Sequence, residues 1–195
     1  AREFPHVEIL RNGKNVGYGN ACNQALESVT TEFALIINPD ATIDETSISR
    51  LLECLTAYPN AAIAAPLFAQ EKKHRLKEVA KNIYSVPFVS GSLMLWRMET
   101  MRNVGFFDPA FFLFYEDDDL SIRVRRAGYL MLLVADTKGF HTPGKSCTLT
   151  DELHDLKLQS STWSGLYIVK KYFGKIPALL LARCKFLSAW LGSIL

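Results

Sequence analysis

Short, continuously apolar runs alternate with amphipathic segments through the first two thirds of the chain, and this alternation constrains the fold more than any other feature. Residues 33–37 read Phe-Ala-Leu-Ile-Ile and residues 61–65 read Ala-Ala-Ile-Ala-Ala, as expected of strands buried on both faces. Between them, apolar residues at helical spacing follow the candidate N-cap Asp44 to about residue 57. This order predicts an α/β domain with a parallel sheet and covering helices.

The pattern extends in both directions along the chain. We predict strands over residues 7–10, 86–96 (with a bend) and 129–135, helices over 16–29, 117–127 and 153–173, and a charged surface loop or helix over 70–81. Residues 176–195 form a Leu-rich tail that carries Arg183 and Lys185. Those two cations favour an interfacial amphipathic helix over a membrane span. The chain therefore divides into residues 1–150 and a helical segment, 151–195.

Composition excludes several classes of function. The net charge is only +2, and no stripe of basic residues interleaved with aromatics occurs, so nucleic acid is not an expected partner. The four cysteines lack CxxC spacing. That argues against a zinc knuckle or a disulfide framework and suits a reducing cytosol.

Three polar features occupy places where ligands collect in α/β folds, beyond the carboxyl ends of strands. Asp40 follows the strand at 33–37, the run Glu-Asp-Asp-Asp at 116–119 opens a helix, and His141 follows the strand at 129–135. Each has a structural alternative: a turn for Asp40, helix capping for the acids, and an ordinary hydrogen-bonded role for His141. Four adjacent carboxylates repel one another, so capping leaves at least one acid without a structural reason, and a metal-binding or base function competes evenly with capping for this run.

Several motifs follow one another between residues 12 and 146. They are Asn-Val-Gly-Tyr-Gly-Asn-Ala-Cys-Asn at 15–23, Ile-Asn-Pro-Asp at 37–40, Ser-Gly-Ser at 90–92, Val-Gly-Phe-Phe-Asp at 104–108, Glu-Asp-Asp-Asp-Leu at 116–120, and His141. In this order they resemble glycosyltransferase family 2, with the rhamnosyltransferase-like and galactofuranosyltransferase-like branches most similar. The resemblance implies an A-type glycosyltransferase fold, which is Rossmann-like with a mostly parallel central sheet and covering helices. Family members usually open with a nucleotide-gripping strand, helix and strand, so we expect an N-terminally truncated copy that lacks the first strands.

The resemblance also implies an activity. It predicts an inverting glycosyltransferase that moves a sugar from a nucleotide-diphosphate donor to a glycan or lipid-linked acceptor in polysaccharide biosynthesis. Residues 1–150 would be the partial catalytic domain, and residues 176–195 would contact the membrane surface. We accordingly expect a cytoplasmic protein, peripheral at the inner face of the cell membrane.

Roles for single residues follow from the same resemblance. Asp117 matches the general base and Glu116 a residue that orients the acceptor or the base. Asp40 and His141 match ligands of a divalent cation, Mn²⁺ or Mg²⁺. The matched donor-binding positions are Asn15, Gly17, Asn38 and Asp40, and the acceptor-side positions are Gly91 and Ser92.

Some of these matches leave alternatives open. Asn38 stands where the family motif has its first acid, which should weaken metal binding and leave more coordination to phosphate oxygens and water. A tight turn explains Gly17 equally well, and a strand bend explains Gly91.

Two other functions compete with the transferase. One is a non-catalytic remnant that binds glycan or a partner protein. The other is a glycoside hydrolase with two carboxylates, but adjacent acids at one helix start do not flank a sugar. Homo-oligomerisation is left open.

Overall fold

The computed structural model describes residues 4–68, 76–142 and 150–192, with side chains described as far as residue 184. The helices are α1 (Tyr18–Ser28), α2 (Glu45–Ala57), α3 (Met98–Val104), α4 (Glu116–Arg126), α5 (Asp151–Phe173) and α6 (Lys175–Gly192). The strands are β1 (Phe33–Ile37), β2 (Ala41–Ile43), β3 (Ala61–Pro66), β4 (Lys77–Ala80), β5 (Ile83–Ser85), β6 (Leu93–Arg97), β7 (Leu130–Val134) and β8 (Gly139–His141).

A six-stranded sheet forms the centre of the fold, in the order β1-β6-β3-β7-β5-β4. β6 is antiparallel to both β1 and β3, and β3 is parallel to β7. β1, β3 and β7 therefore point the same way, as the alternation of apolar runs and helices predicts. The difference is that β6 lies between β1 and β3, and that the β4–β5 hairpin adds antiparallel strands beside β7, so four of the five adjacent pairs of this sheet are antiparallel. Periodicity along the chain carries no information about these pairings.

Helices cover the sheet on both faces. On one face α2 packs Leu51, Cys54 and Leu55 against β3, β6 and β7, and all three side chains are fully buried. On the other face α1, α3 and α4 contribute Leu26, Met98, Met101, Leu120 and Val124 to a second core cluster. Asp44 caps α2 as predicted, because its Oδ1 accepts a hydrogen bond of 2.7 Å from the Ser47 amide.

Three expectations are wrong in detail. Residues 7–10 form no strand and are exposed; an apolar run needs a hydrogen-bonding neighbour, and no described strand pairs with it. β1 is an edge strand in which only Ile36 is buried, so it is not covered on both faces. Within the charged segment 70–81, Lys77–Ala80 is neither a loop nor a helix but a strand in a hairpin with β5.

The C-terminal part is a pair of helices, as predicted. α5 begins at the N-cap Thr150, whose side chain accepts a hydrogen bond of 3.2 Å from the Leu153 amide, and α6 contacts α5. Over the described residues, no helix combines the length and hydropathy that crossing a bilayer demands.

Candidate active site

One edge of the sheet gathers the Asn-Pro-Asp motif and the Ser-Gly-Ser motif. β1 ends where the antiparallel strand β6 begins, with Ile37 opposite Leu93 in the register. The Asn38 amide extends this pairing by donating a hydrogen bond of 2.9 Å to the Ser92 carbonyl oxygen. The polar residues beyond Ile37 and before Leu93 therefore lie beside each other, at the end of the sheet where ligands bind in α/β folds.

A two-stranded ribbon brings His141 to Asp40. β2 and β8 pair with Ala41 opposite His141, and the Thr142 amide donates a hydrogen bond of 3.1 Å to the Asp40 carbonyl oxygen. His141 Nε2 lies 3.5 Å from Asp40 Oδ1, and these side chains are 21% and 5% exposed. The sequence separates the two residues by a hundred positions, and this ribbon fixes their approach.

The acidic run at the start of α4 closes the other side of the site. Asp117 Oδ2 accepts a hydrogen bond of 3.0 Å from the Gly91 amide, and its Oδ1 accepts one of 3.0 Å from the Asp118 amide. A Cβ at position 91 would lie 3.4 Å from the Asp117 Cβ. Gly91 therefore permits a close approach of the Ser-Gly-Ser loop to Asp117 that a larger residue would crowd.

The backbone just before α4 is strained. Phe114 and Tyr115 both adopt the left-handed conformation, with φ of 67° and 65°. Two consecutive non-glycine residues in this region each cost of the order of 1 kcal/mol, and such strain clusters at functional sites. It turns the chain sharply into the acidic run.

A single cavity of about 630 Å³ lies between these elements. It is lined by seven of the residues singled out from the sequence: Asn38, Asp40, Gly91, Ser92, Glu116, Asp117 and His141. The volume lies within the usual range of ligand sites, about 300–1,000 Å³. Residues 40, 117 and 141 thus face a common cavity.

Three buried oxygens in this cavity have no hydrogen-bond partner among the described residues: Asn38 Oδ1, Asp40 Oδ1 and Glu116 Oε2. Leaving a buried acceptor unpaired costs about 1–3 kcal/mol each. Three of them in one cavity leave their partners to be supplied by water or by a bound ligand.

Asn15 and Gly17, the other predicted donor-binding residues, are not brought into this cavity. The Asn15 side chain instead accepts a hydrogen bond of 3.0 Å from the Gly17 amide. Gly17 has φ of +85°, and a Cβ there would lie 2.1 Å from the Phe112 carbonyl oxygen. The turn into α1 thus accounts for both residues, and their donor-binding role stays a prediction.

The cavity also contains residues that the sequence did not single out. Tyr18 lines it and donates a hydrogen bond of 2.5 Å to the Gly91 carbonyl oxygen, while Lys157 reaches it from α5. Tyr18 lies inside the Gly-Tyr-Gly motif and could have been noticed there. Lys157 comes after the other site residues in the sequence, beyond the segment that connects β8 to α5, and no motif around it marks it as a site residue.

The fit to a divalent cation rests on two side chains. Among the described residues, no group of three or more His, Cys, Asp or Glu side chains could hold a metal ion on its own. Asp40 and His141 nevertheless form a mixed oxygen and nitrogen pair of the kind that Mn²⁺ accepts, and Asp40 Oδ1 lacks a hydrogen-bond partner in the described chain. They fit a cation whose remaining ligands come from a bound diphosphate and water.

Glu116 is electrostatically unlike its neighbours. Burial, together with the negative charge of Asp117, raises the pKa of its carboxyl group to about 7. Burial and Asp117 also raise the pKa of Asp118. Between about pH 4.5 and 7 the folded chain thus holds a proton on Glu116 that the unfolded chain has lost, so this group makes stability fall as the pH rises through that window.

Glu116→Gln is therefore expected to stabilise the protein above pH 7 and to change little at pH 4.5. The glutamine has nearly the same shape and no charge to desolvate, and the expected gain at pH 8 is of the order of 2 kcal/mol. Denaturant unfolding at the two pH values measures it. Glu27→Gln, at an exposed position of α1, serves as the control. An identical effect of Glu116→Gln at both pH values would contradict the assignment.

Comparison with known proteins identifies the family. A family model described as glycosyl transferase family 2 matches residues 1–119, more than half of the chain. The chain belongs to glycosyl transferase family 2. Curated relatives in this family include the N-acetylglucosaminyl-diphospho-decaprenol L-rhamnosyltransferases of two Mycobacterium tuberculosis strains, CDC 1551 / Oshkosh and ATCC 25618 / H37Rv. Each is 23% identical over 217 residues, which covers 89% of this chain and 70% of the relative.

Solved structures show the same fold. GalNAc-T7 with UDP, GalNAc and Mn²⁺ superposes with a TM-score of 0.58 at 13% identity, over 78% of this chain and 35% of that one. The mannosyltransferase PcManGT from Pyrobaculum calidifontis, with GDP-Man and Mn²⁺, gives a TM-score of 0.57 at 15% identity, over 93% of this chain and 62% of that one. The chain thus spans less than two thirds of either solved chain. The predicted family, its rhamnosyltransferase-like branch and the A-type fold are confirmed. The predicted enzyme class, a nucleotide-sugar-dependent glycosyltransferase, is that of the family.

Proposed function

We propose that this chain catalyses inverting transfer of a sugar from a nucleoside diphosphate donor to a hydroxyl group of a lipid-linked glycan acceptor. The observation that carries the proposal is the shared cavity, which Asp40, His141, Glu116 and Asp117 all line. The curated relatives are named for transfer of rhamnose to a diphospho-decaprenol-linked sugar, which supports rhamnose as the first donor sugar to test.

Asp117 is the proposed general base. Its carboxylate is oriented by the amides of Gly91 and Asp118, and each carboxylate oxygen has lone pairs left to accept a further hydrogen bond. It takes the proton of the acceptor hydroxyl as that oxygen bonds to the anomeric carbon. The bond from that carbon to the donor phosphate breaks, and the nucleoside diphosphate leaves with the electron pair, so one displacement inverts the centre.

The residues around Asp40 are proposed to bind the donor diphosphate. Asp40 and His141 would hold a divalent cation, Mn²⁺ or Mg²⁺, which when bound stabilises the negative charge of the departing diphosphate. Asn38 contributes an amide oxygen without a partner in the described chain, and its side-chain amide can donate to a phosphate oxygen. Lys157, which also lines the cavity, adds a positive charge on this path.

Calorimetry against dTDP-rhamnose, UDP-GalNAc and GDP-mannose, with and without Mn²⁺, tests the proposal. We expect one donor to bind at least tenfold more tightly with the metal, and to be consumed when a lipid-linked acceptor is added. Binding of acceptor glycan without binding of any donor would instead support the non-catalytic alternative. Release of reducing sugar in the absence of a donor would support a hydrolase.

Asp40→Ala and His141→Ala are each expected to lower donor affinity in the presence of Mn²⁺ by about tenfold or more, and so to remove most of the gain that Mn²⁺ gives. Loss of one ligand leaves the cation with one protein contact. Titration of the donor at fixed Mn²⁺ measures the effect. Asp136→Asn, which removes a partly exposed carboxylate that pairs with Arg50, should leave the gain unchanged. A full Mn²⁺ effect in both alanine variants would exclude these residues as ligands.

A further inference from the structure

The outward side of the C-terminal helices is apolar to an unusual degree. On α5, Leu158, Trp163 and Phe173 are 62%, 63% and 73% exposed, and on α6, Ile176, Leu179 and Leu180 are 74%, 64% and 58% exposed. Single exposed apolar residues are normal on protein surfaces, but contiguous apolar patches mark interaction sites.

On α5, Leu158 and Phe173 belong to one stripe, and Trp163 lies beside it. Leu158, Thr162, Leu166, Val169 and Phe173 follow one another at intervals of three or four residues, which places them on one face of the helix. Ser160 and Ser164, on the other face, are buried against the domain. Near its start the stripe borders a shallow groove lined by Leu158, Gln159, Thr162, Trp163 and Leu166. The apolar side of α5 thus points away from the core.

The same segment is biased toward positive charge. Residues 151–195 contain six basic and three acidic residues, with all three acids (Asp151, Glu152 and Asp155) near the start of α5, whereas residues 1–150 contain 16 basic and 17 acidic residues. The net charges are therefore +3 and −1. Lys171 is paired with Asp108 and Asp119, but Lys170, Lys175 and Arg183 are exposed next to the apolar residues. Apolar side chains flanked by cations are the pattern of helices that lie in the headgroup layer of anionic membranes.

We propose that the outward face of α5 and α6 docks onto an anionic lipid surface, with Leu158, Trp163 and Phe173 entering the headgroup layer. The sequence alone placed membrane contact in residues 176–195, and the structure adds the stripe on α5. A second copy of the chain fits the face less well, because a symmetric contact would bring the exposed Lys170, Lys175 and Arg183 of two copies together. No described helix could cross a bilayer, so the contact is peripheral.

The position of α5 links membrane docking to the active site, an inference that rests on the proposed function. Lys157 lines the cavity and the next residue, Leu158, lies on the exposed stripe. Ser164 donates a hydrogen bond of 2.9 Å to the carbonyl oxygen of Leu113, which also lines the cavity. The site and the docking face are therefore about one helix diameter apart, roughly 10–12 Å. A lipid-linked sugar could reach the cavity while its lipid stays in the membrane.

Vesicle sedimentation with the full chain tests the proposal. We expect the chain to bind vesicles of phosphatidylcholine that contain about 30% phosphatidylglycerol, which gives them a negative surface. Binding to pure phosphatidylcholine should be at least tenfold weaker, and added salt should weaken binding to the anionic vesicles. The triple variant Leu158→Ser/Trp163→Ser/Phe173→Ser should bind the anionic vesicles at least tenfold more weakly. Its fold should be retained because all three side chains are exposed, and circular dichroism checks this. Phe4→Ser, which is 65% exposed elsewhere in the chain, should bind as the unmodified chain does.

Equal binding of the triple variant and the unmodified chain would overturn the proposal. The proposal would also be overturned if the unmodified chain were a dimer and the triple variant a monomer, since the face would then be an interface between copies. Donor calorimetry on the unmodified chain separates the two proposals. Vesicle binding without binding of any donor counts against the transferase, and donor binding without vesicle binding counts against the docking face.

Discussion

Asp117→Asn is expected to lower kcat by about 10²- to 10⁴-fold, the usual contribution of a positioned general base, and to leave donor affinity within a few-fold of the unmodified chain. The amide cannot take the acceptor proton. The carboxylate is hydrogen-bonded to the Gly91 amide and is not one of the two side chains, Asp40 and His141, that are proposed to hold the metal. The substitution should therefore affect the chemical step more than donor binding.

The local hydrogen bonds make a matched control necessary. Both oxygens of Asp117 accept backbone N–H groups, from Gly91 and Asp118, and an asparagine can accept only at its one oxygen. The thermal midpoint of the variant must be measured so that loss of activity is not confused with loss of fold. Asp118→Asn removes the neighbouring charge without touching the Gly91 loop and should keep kcat within a few-fold. If Asp117→Asn turned over at a rate close to that of Asp118→Asn, another group would have to be the base.

The residues of the site were largely predictable, because each lies at a recognisable boundary in the sequence. Asp40 follows an apolar run, Asp117 opens a helix and His141 follows another strand. Strands that share a direction end at the same edge of a sheet, so side chains beyond their carboxyl ends come together whatever the exact strand order. The roles of these residues depend on the resemblance to the family, which the family match supports without testing single positions.

The strand order and the contribution of α5 were not predictable in the same way. The periodicity of residues 93–97 indicates a strand but not that it inserts between β1 and β3, since pairing is decided by contacts distant in sequence. Lys157 likewise enters the cavity only because α5 packs against the loop before α4. The residues around Lys157 in the sequence are those of an ordinary helix. Tertiary packing alone decides which face of α5 turns toward the cavity.

The contacts that hold α5 in place converge on Asp119. This side chain is fully buried, accepts a hydrogen bond of 2.8 Å from Arg123 and pairs with Lys171 at 2.6 Å. The hydroxyl group of Tyr172 donates a hydrogen bond of 2.6 Å to the same side chain, which is its third contact. Arg123 also donates to the carbonyl oxygens of Val104 and Gly105 at the end of α3. One carboxylate therefore joins α3, α4 and α5.

Asp119→Ala is expected to lower the free energy of unfolding by about 3 kcal/mol. It removes the fully buried carboxylate that Arg123 and Lys171 share, although Lys171 keeps its contact with Asp108. Denaturant unfolding measures this. Asp136→Ala breaks the pair with Arg50, whose two side chains are 37% and 31% exposed, and should cost no more than about 1 kcal/mol. A similar small cost for both variants would show that the buried pair does not hold the helices together.

Asp119→Ala should also impair transfer under conditions where the variant is still folded. Asp119 lies two residues after Asp117 on α4, and the helix that it holds through Lys171 carries Lys157 into the cavity. A loosened α5 displaces a positive charge from the proposed diphosphate path, so donor affinity should fall together with kcat. Asp117→Asn, in contrast, should lower kcat with little change in affinity. Measuring both quantities for both variants therefore distinguishes a residue that reacts with the acceptor from one that positions the site.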